Sequence, residues 1–142
     1  MPTRRASAVW EGGLKGGKGR FEGESGSMAG AYSFGSRFEE GKGSNPEELL
    51  AAAEAACFSM ALSSNLEKSG KPPVSVETQA KCTIEKVGEG FKITRMNLEV
   101  RANVPGLEEP AFLELVEKTR TGCPVSVALK GNVEVSVDAK LL

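Results

Sequence analysis

The chain contains no histidine. That absence excludes Ser-His-Asp and Cys-His hydrolase mechanisms, imidazole general bases and histidine-ligated metals from its own chemistry. Cysteine is scarce too. Cys57, Cys82 and Cys123 lie far apart, without the close pairing of a zinc site, and an odd number makes a poor extracellular disulfide framework. There is no excess of charge of either sign: 18 Lys and Arg against 19 Asp and Glu leave a net charge of −1, which supplies no field for nucleic acid or an anionic membrane. The basic start at Arg4 and Arg5 is not followed by the apolar segment of a secretory signal. The longest largely apolar run, Leu49 to Leu62, is shorter than the roughly 20 residues that span a bilayer. These absences predict a cytoplasmic protein with no nucleic-acid or membrane partner, no metal and no organic cofactor. Its chemistry would rest on Cys, carboxylates, Lys, Arg or Tyr, and in the cytosol a paired thiol is more often catalytic than structural.

What is present is organised around one stretch. Asn45 can cap a helix, Pro46 suits the first helical position, and Glu48 completes a capping-box-like pattern. From Leu49 to Leu62 only Glu54 and Ser59 are not apolar, so no face of this helix is made for water and the segment is expected to be buried. It should run from Pro46 to about Ser69, ended by Gly70 and the Pro72–Pro73 pair, with Lys68 in the last turn.

The 142 residues suit one domain, 1–142, with a core of its own. Residues 1–43 are glycine-rich with short apolar patches around Trp10, around Phe21 and from Met28 to Phe38, which predicts a small antiparallel meander; a flexible arm is the alternative. After the central helix (46–69), a hairpin is expected over 74–104. Val74, Val76, Thr78, Ala80, Cys82 and Ile84 alternate with polar residues, and the returning strand changes phase near Thr94–Arg95, the mark of a β-bulge. Two helices follow within 109–130, separated by Gly122 and Cys123–Pro124, and a last alternating strand occupies 132–141. Strands and helices in this order, without strict βαβ alternation, predict an α+β fold of antiparallel sheets around a long central helix.

The three cysteines read differently. Cys82 falls on the apolar face of its strand and reads as packing. By position alone Cys57 does as well, because burial makes a thiol inert and a mid-helix site gains little from the helix dipole; activation would need a cation from elsewhere, and Glu54 would oppose it if it faced the thiol. Cys123 precedes Pro124 at a helix start, where a thiolate is favoured, so reactive and structural readings both stand. Cys57 and Cys123 could form a redox pair if the fold brings their Cα atoms within about 7 Å.

At Ser36-Arg37-Phe38-Glu39, Asn45-Pro46-Glu47-Glu48-Leu49, Ala55-Ala56-Cys57-Phe58-Ser59 and Gly122-Cys123-Pro124-Val125-Ser126, the chain resembles the OsmC/Ohr family, the osmotically inducible protein C and organic hydroperoxide resistance proteins. Val9-Trp10-Glu11-Gly12 and Lys18-Gly19 resemble its OsmC branch. The resemblance implies an intertwined homodimer and a cysteine-based peroxidase of oxidative and osmotic stress defence, acting on organic hydroperoxides and less efficiently on hydrogen peroxide. By motif it makes Cys57 the peroxidatic thiol and Cys123 the resolving thiol, with Arg37 and Glu47 as the polar site residues. It implies an external dithiol reductant such as lipoyl groups. The histidine frequent three residues before the reactive cysteine in the family is Glu54 here. The alternative function is a redox-sensing or ligand-binding protein of the same fold without rapid turnover. Glu47 and Cys57 are ten positions apart, about 15 Å along a straight helix. They share a site only if the helix breaks between them or if Glu47 comes from a partner subunit, and the second arrangement is the one expected.

Overall fold

The computed structural model describes residues 1–142 as two compact units, Met1–Leu49 and Leu50–Leu142. In the first, β1 (Ala6–Glu11), β2 (Lys18–Gly23) and β3 (Ala29–Tyr32) form an antiparallel sheet in the order β1-β2-β3. Ala6 pairs with Gly23 and Glu11 with Lys18, while Gly19 pairs with Tyr32 and Glu22 with Ala29. The glycine content of this segment has a packing cause at Gly19: a Cβ there would sit 2.6 Å from Tyr32 and 2.7 Å from Trp10. Its absence leaves the Trp10 and Tyr32 rings 5.4 Å apart between centroids.

The meander is therefore ordered, but it does not continue to Phe38. Residues Phe34–Phe38 form a short helix, α1. Ser33 caps it and closes a capping box with Ser36, each side chain accepting from the other's backbone N–H. The two phenylalanines are four apart, one helical turn, and their rings meet at 5.1 Å.

The central helix, α2, runs from Pro46 to Lys68. Asn45 caps it as expected, its side chain accepting from Glu48 N–H at 2.7 Å. The capping box is only half made, because Glu48 accepts instead from the Ser44 hydroxyl. At the far end Gly70 turns left-handed at φ 85°. Lys71 N–H donates to Leu66 C=O and Gly70 N–H to Glu67 C=O, the paired bonds of a Schellman ending.

In the second unit β4 (Ser75–Val87) and β5 (Gly90–Asn103) pair antiparallel, and β6 (Glu134–Leu141) lies beside β5. The expected phase change is present: Thr83 pairs with Arg95 and Ile84 with Ile93, so Thr94 is the extra residue of a bulge. The expectation of antiparallel pairing throughout needs a correction, since β6 runs parallel to β5. The helices α3 (Glu109–Gly122) and α4 (Pro124–Leu129) between them are a connection long enough for the crossover that a parallel pair requires.

The core lies between α2 and this sheet. Phe58, Leu62 and Leu66 are buried with Met96, Leu98, Val100, Ala102, Phe112 and Val116. Cys82 is half-buried against this cluster, opposite Met96, as its strand position predicts. Asn65 donates to Thr119 and Ser59 to Thr78, tying the helix to α3 and β4. The opposite side of α2 departs from the expectation of burial all round. Ala52, Ala53 and Ala56 are exposed, and Met60 is 77% exposed, because one sheet covers only one face of a helix. By length and composition alone α2 would also qualify as a membrane span. Its Phe58, Leu62 and Leu66 side is packed into the core.

Candidate active site

Two polar constellations bring together the residues picked out from the sequence. In the first unit Arg37 and Glu47 form a two-point pair. Arg37 Nε donates to Glu47 Oε1 at 3.0 Å and Nη2 to Oε2 at 3.1 Å. Arg37 stands at the end of α1 and Glu47 in the first turn of α2. The two segments are joined locally, since Asn45 donates to Ser36 C=O and Ser36 donates to Ser44 C=O. Glu47 is 5% exposed, so its charge is balanced by a guanidinium whose fork matches a carboxylate. Arg37 is partly open, and further N–H donors are left over after both bonds.

In the second unit Cys57 and Cys123 meet. Cys123 Sγ donates to Cys57 Sγ at 2.9 Å, longer than a covalent bond of about 2.04 Å and close enough to become one with little movement. Cys57 stands in the middle of α2 and Cys123 immediately before α4. Pro124 supplies the first helical residue of α4 and Gly122 ends α3, so this motif bends the chain and turns the second thiol onto the central helix. Cys123 is fully buried and Cys57 half-buried.

Burial pushes the Cys57 thiol above its ordinary value, and the hydrogen bond with Cys123 adds to that. The Val125 amide hydrogen-bonds the Cys57 sulfur and pulls the other way. The amide at the start of α4 is thus offered to Cys57, although the sequence argument assigned the benefit of that helix end to Cys123. A negative charge on Glu54 acts on Cys57 in the same raising direction as burial.

Glu54 and Ser126 are the parts of this centre whose roles the sequence left open. Glu54 is fully buried. Ser126, also buried, donates a hydrogen bond to its Oε1, while Oε2 has no partner. Burial holds the Glu54 carboxyl above its ordinary range, with Ser126 pulling against it. The only available signal was the place of Ser126 in the Gly122–Ser126 motif, one helical turn beyond Cys123.

A fully buried thiol 2.9 Å from a second one, on an α+β scaffold, is the arrangement that a cysteine redox couple requires. A family model for OsmC-like protein matches residues 39–138. The chain is 45% identical to Peroxiredoxin OsmC of Escherichia coli (strain K12), over 97% of this chain and 96% of that one. It is 36% identical to the Organic hydroperoxide resistance protein of Xanthomonas axonopodis pv. citri (strain 306), over 68% of this chain and 67% of that one. An organic hydroperoxide resistance protein OsmC from Legionella pneumophila superposes with a TM-score of 0.73 at 27% identity, covering 99% of this chain and 98% of the other. The chain belongs to the OsmC-like protein family.

Proposed function

We propose that the protein is a thiol-dependent peroxidase that reduces organic hydroperoxides, and hydrogen peroxide less efficiently, in oxidative and osmotic stress defence in the cytoplasm. The observation that carries this reading is the 2.9 Å approach of Cys57 and Cys123. The Cys57 thiolate attacks the O–O bond; the alcohol leaves with a proton and Cys57 becomes a sulfenic acid. Cys123 then displaces the sulfenic oxygen as water and closes a disulfide before over-oxidation proceeds. An external dithiol, of the lipoyl class, restores both thiols by exchange.

The cation that a mid-helix thiolate lacks is Arg37, held in place by Glu47. Because α2 is unbroken from Pro46 to Lys68, Glu47 lies about 15 Å along the axis from its own Cys57. In our reading the Arg37–Glu47 pair therefore serves the Cys57 of a second copy. The bare apolar side of α2, at Ala52, Ala53, Ala56 and Met60, supports a homodimer in which two such helices cross closely. The single domain of 1–142 is then one half of a two-site assembly.

The test is hydroperoxide consumption with dithiothreitol as reductant. Wild type is expected to turn over and Cys57→Ser to be inactive. Cys123→Ser is expected to react once and then drift to sulfinic acid, visible by intact mass. Undiminished turnover in Cys57→Ser contradicts the assignment. A wild type that forms its disulfide only over hours would make the protein a redox sensor instead.

A further inference from the structure

The two thiols are not the only contact between α2 and α4. Glu54 and Cys57 are three apart on α2, and Cys123 and Ser126 are three apart at the start of α4. Cys57 meets Cys123 and Glu54 meets Ser126, so the helices run in opposite senses and are joined by two rungs one turn apart. The second rung is entirely buried. A buried carboxyl group is costly unless it is neutral or fully bonded, and Glu54 has one hydroxyl on Oε1 and no partner on Oε2. The groups that act on it are Ser126 from α4, which bonds its Oε1, and Cys57 three positions on along its own helix. Glu54, fully buried, and Cys57, half-buried, are thus two acids in one turn of α2, where one negative charge is tolerated better than two.

We propose that Glu54 is a positioning residue of the thiol pair: tethered by Ser126, it governs how readily Cys57 ionises and holds the start of α4 where Cys123 can reach Cys57. Glu54 and Cys57 compete for a single negative charge, so charge on either one holds the proton on the other. When the disulfide closes, Cys123 supplies the electron pair of the new S–S bond, its proton leaves with the sulfenic hydroxyl as water, and the thiolate that competed with Glu54 is gone. This deepens the peroxidase reading and rests on it only for the closing step.

Glu54→Gln keeps an oxygen for Ser126 but cannot ionise, whereas Ser126→Ala removes the rung alone. Two readouts separate the roles: the rate of Cys57 alkylation by iodoacetamide across pH, located by peptide mass, and the ratio of disulfide to sulfinic acid after a few equivalents of tert-butyl hydroperoxide. Glu54→Gln is expected to alkylate at Cys57 roughly 3- to 10-fold faster at neutral pH, a tenfold change corresponding to one pKa unit, and to keep its disulfide share. Ser126→Ala is expected to lose at least half of its disulfide share to sulfinic acid. An alkylation profile unchanged in Glu54→Gln, or a wild-type disulfide share in Ser126→Ala, overturns the proposal. Should Glu54→Gln fail to fold, Ser126→Ala decides alone. Alkylation does not depend on hydroperoxide turnover, so a wild type that consumes no hydroperoxide would sink the peroxidase reading and the closing step with it, while the effect of Glu54 on Cys57 ionisation is still decided by alkylation.

Discussion

Glu47 and Glu54, two turns apart on one helix, are both buried and are handled in opposite ways. Glu47 accepts both bonds of a guanidinium fork, whereas Glu54 has a single hydroxyl. Arg37→Lys keeps the charge and loses the fork; steady-state assays are expected to show kcat/KM lower by at least about tenfold. Arg37→Ala leaves Glu47 buried without a partner, and urea unfolding should register a loss of about 1–3 kcal/mol. For Glu54 the prediction concerns pH. Burial raises its carboxyl from the ordinary 4.5, so the unfolded chain gives up this proton first. The stabilisation from the neutral group is full below pH 4.5 and is lost as pH rises through the folded-state value. Urea unfolding at rising pH should therefore move in favour of Glu54→Gln relative to wild type; a constant difference would mean that the carboxyl is not held neutral. At this scale the sequence pointed to Cys57, Cys123, Arg37 and Glu47 only through motifs that resemble the OsmC/Ohr family; by position alone Cys57 read as packing. It could not show Ser126 reaching Glu54, because that bond joins residues on two helices brought together only by tertiary folding.

The central helix was legible because its ends carry chemistry of their own. Asn45 and Pro46 start it and Gly70 stops it with φ 85°. Nothing lies within 4 Å of a Cβ at Gly70, so Gly70→Ala meets only the left-handed backbone penalty and should cost about 1–2 kcal/mol in urea unfolding. A neutral result would mean that the ending relaxes without it. The bulge at Thr94 was legible as well, since one extra residue flips the side-chain alternation. Two other features were not. Phe34 and Phe38 look like strand aromatics until their four-residue spacing is given weight over their β propensity. The direction of β6 is set by the path of α3 and α4 across the sheet, and an alternating strand carries no mark of its polarity.

For the whole molecule, the face of α2 that the sheet leaves bare is where the structure departs furthest from the burial the sequence predicted. Composition predicted a helix buried all round, and the exposed Ala52, Ala53, Ala56 and Met60 show that a single copy buries only part of it. If two copies meet there, Met60→Lys places two like charges in a close apolar contact. Size-exclusion chromatography with light scattering should then change from a dimer to a monomer; an unchanged dimer would move the interface elsewhere. The central claim, that Cys57 and Cys123 act as one redox couple, is tested most directly by mass. The reduced protein is treated with one equivalent of tert-butyl hydroperoxide and quenched within seconds. The account predicts a loss of about 2 Da, two hydrogens, together with a Cys57–Cys123 linked peptide. Oxidation that falls on Cys82, or the absence of that linked peptide, would contradict it.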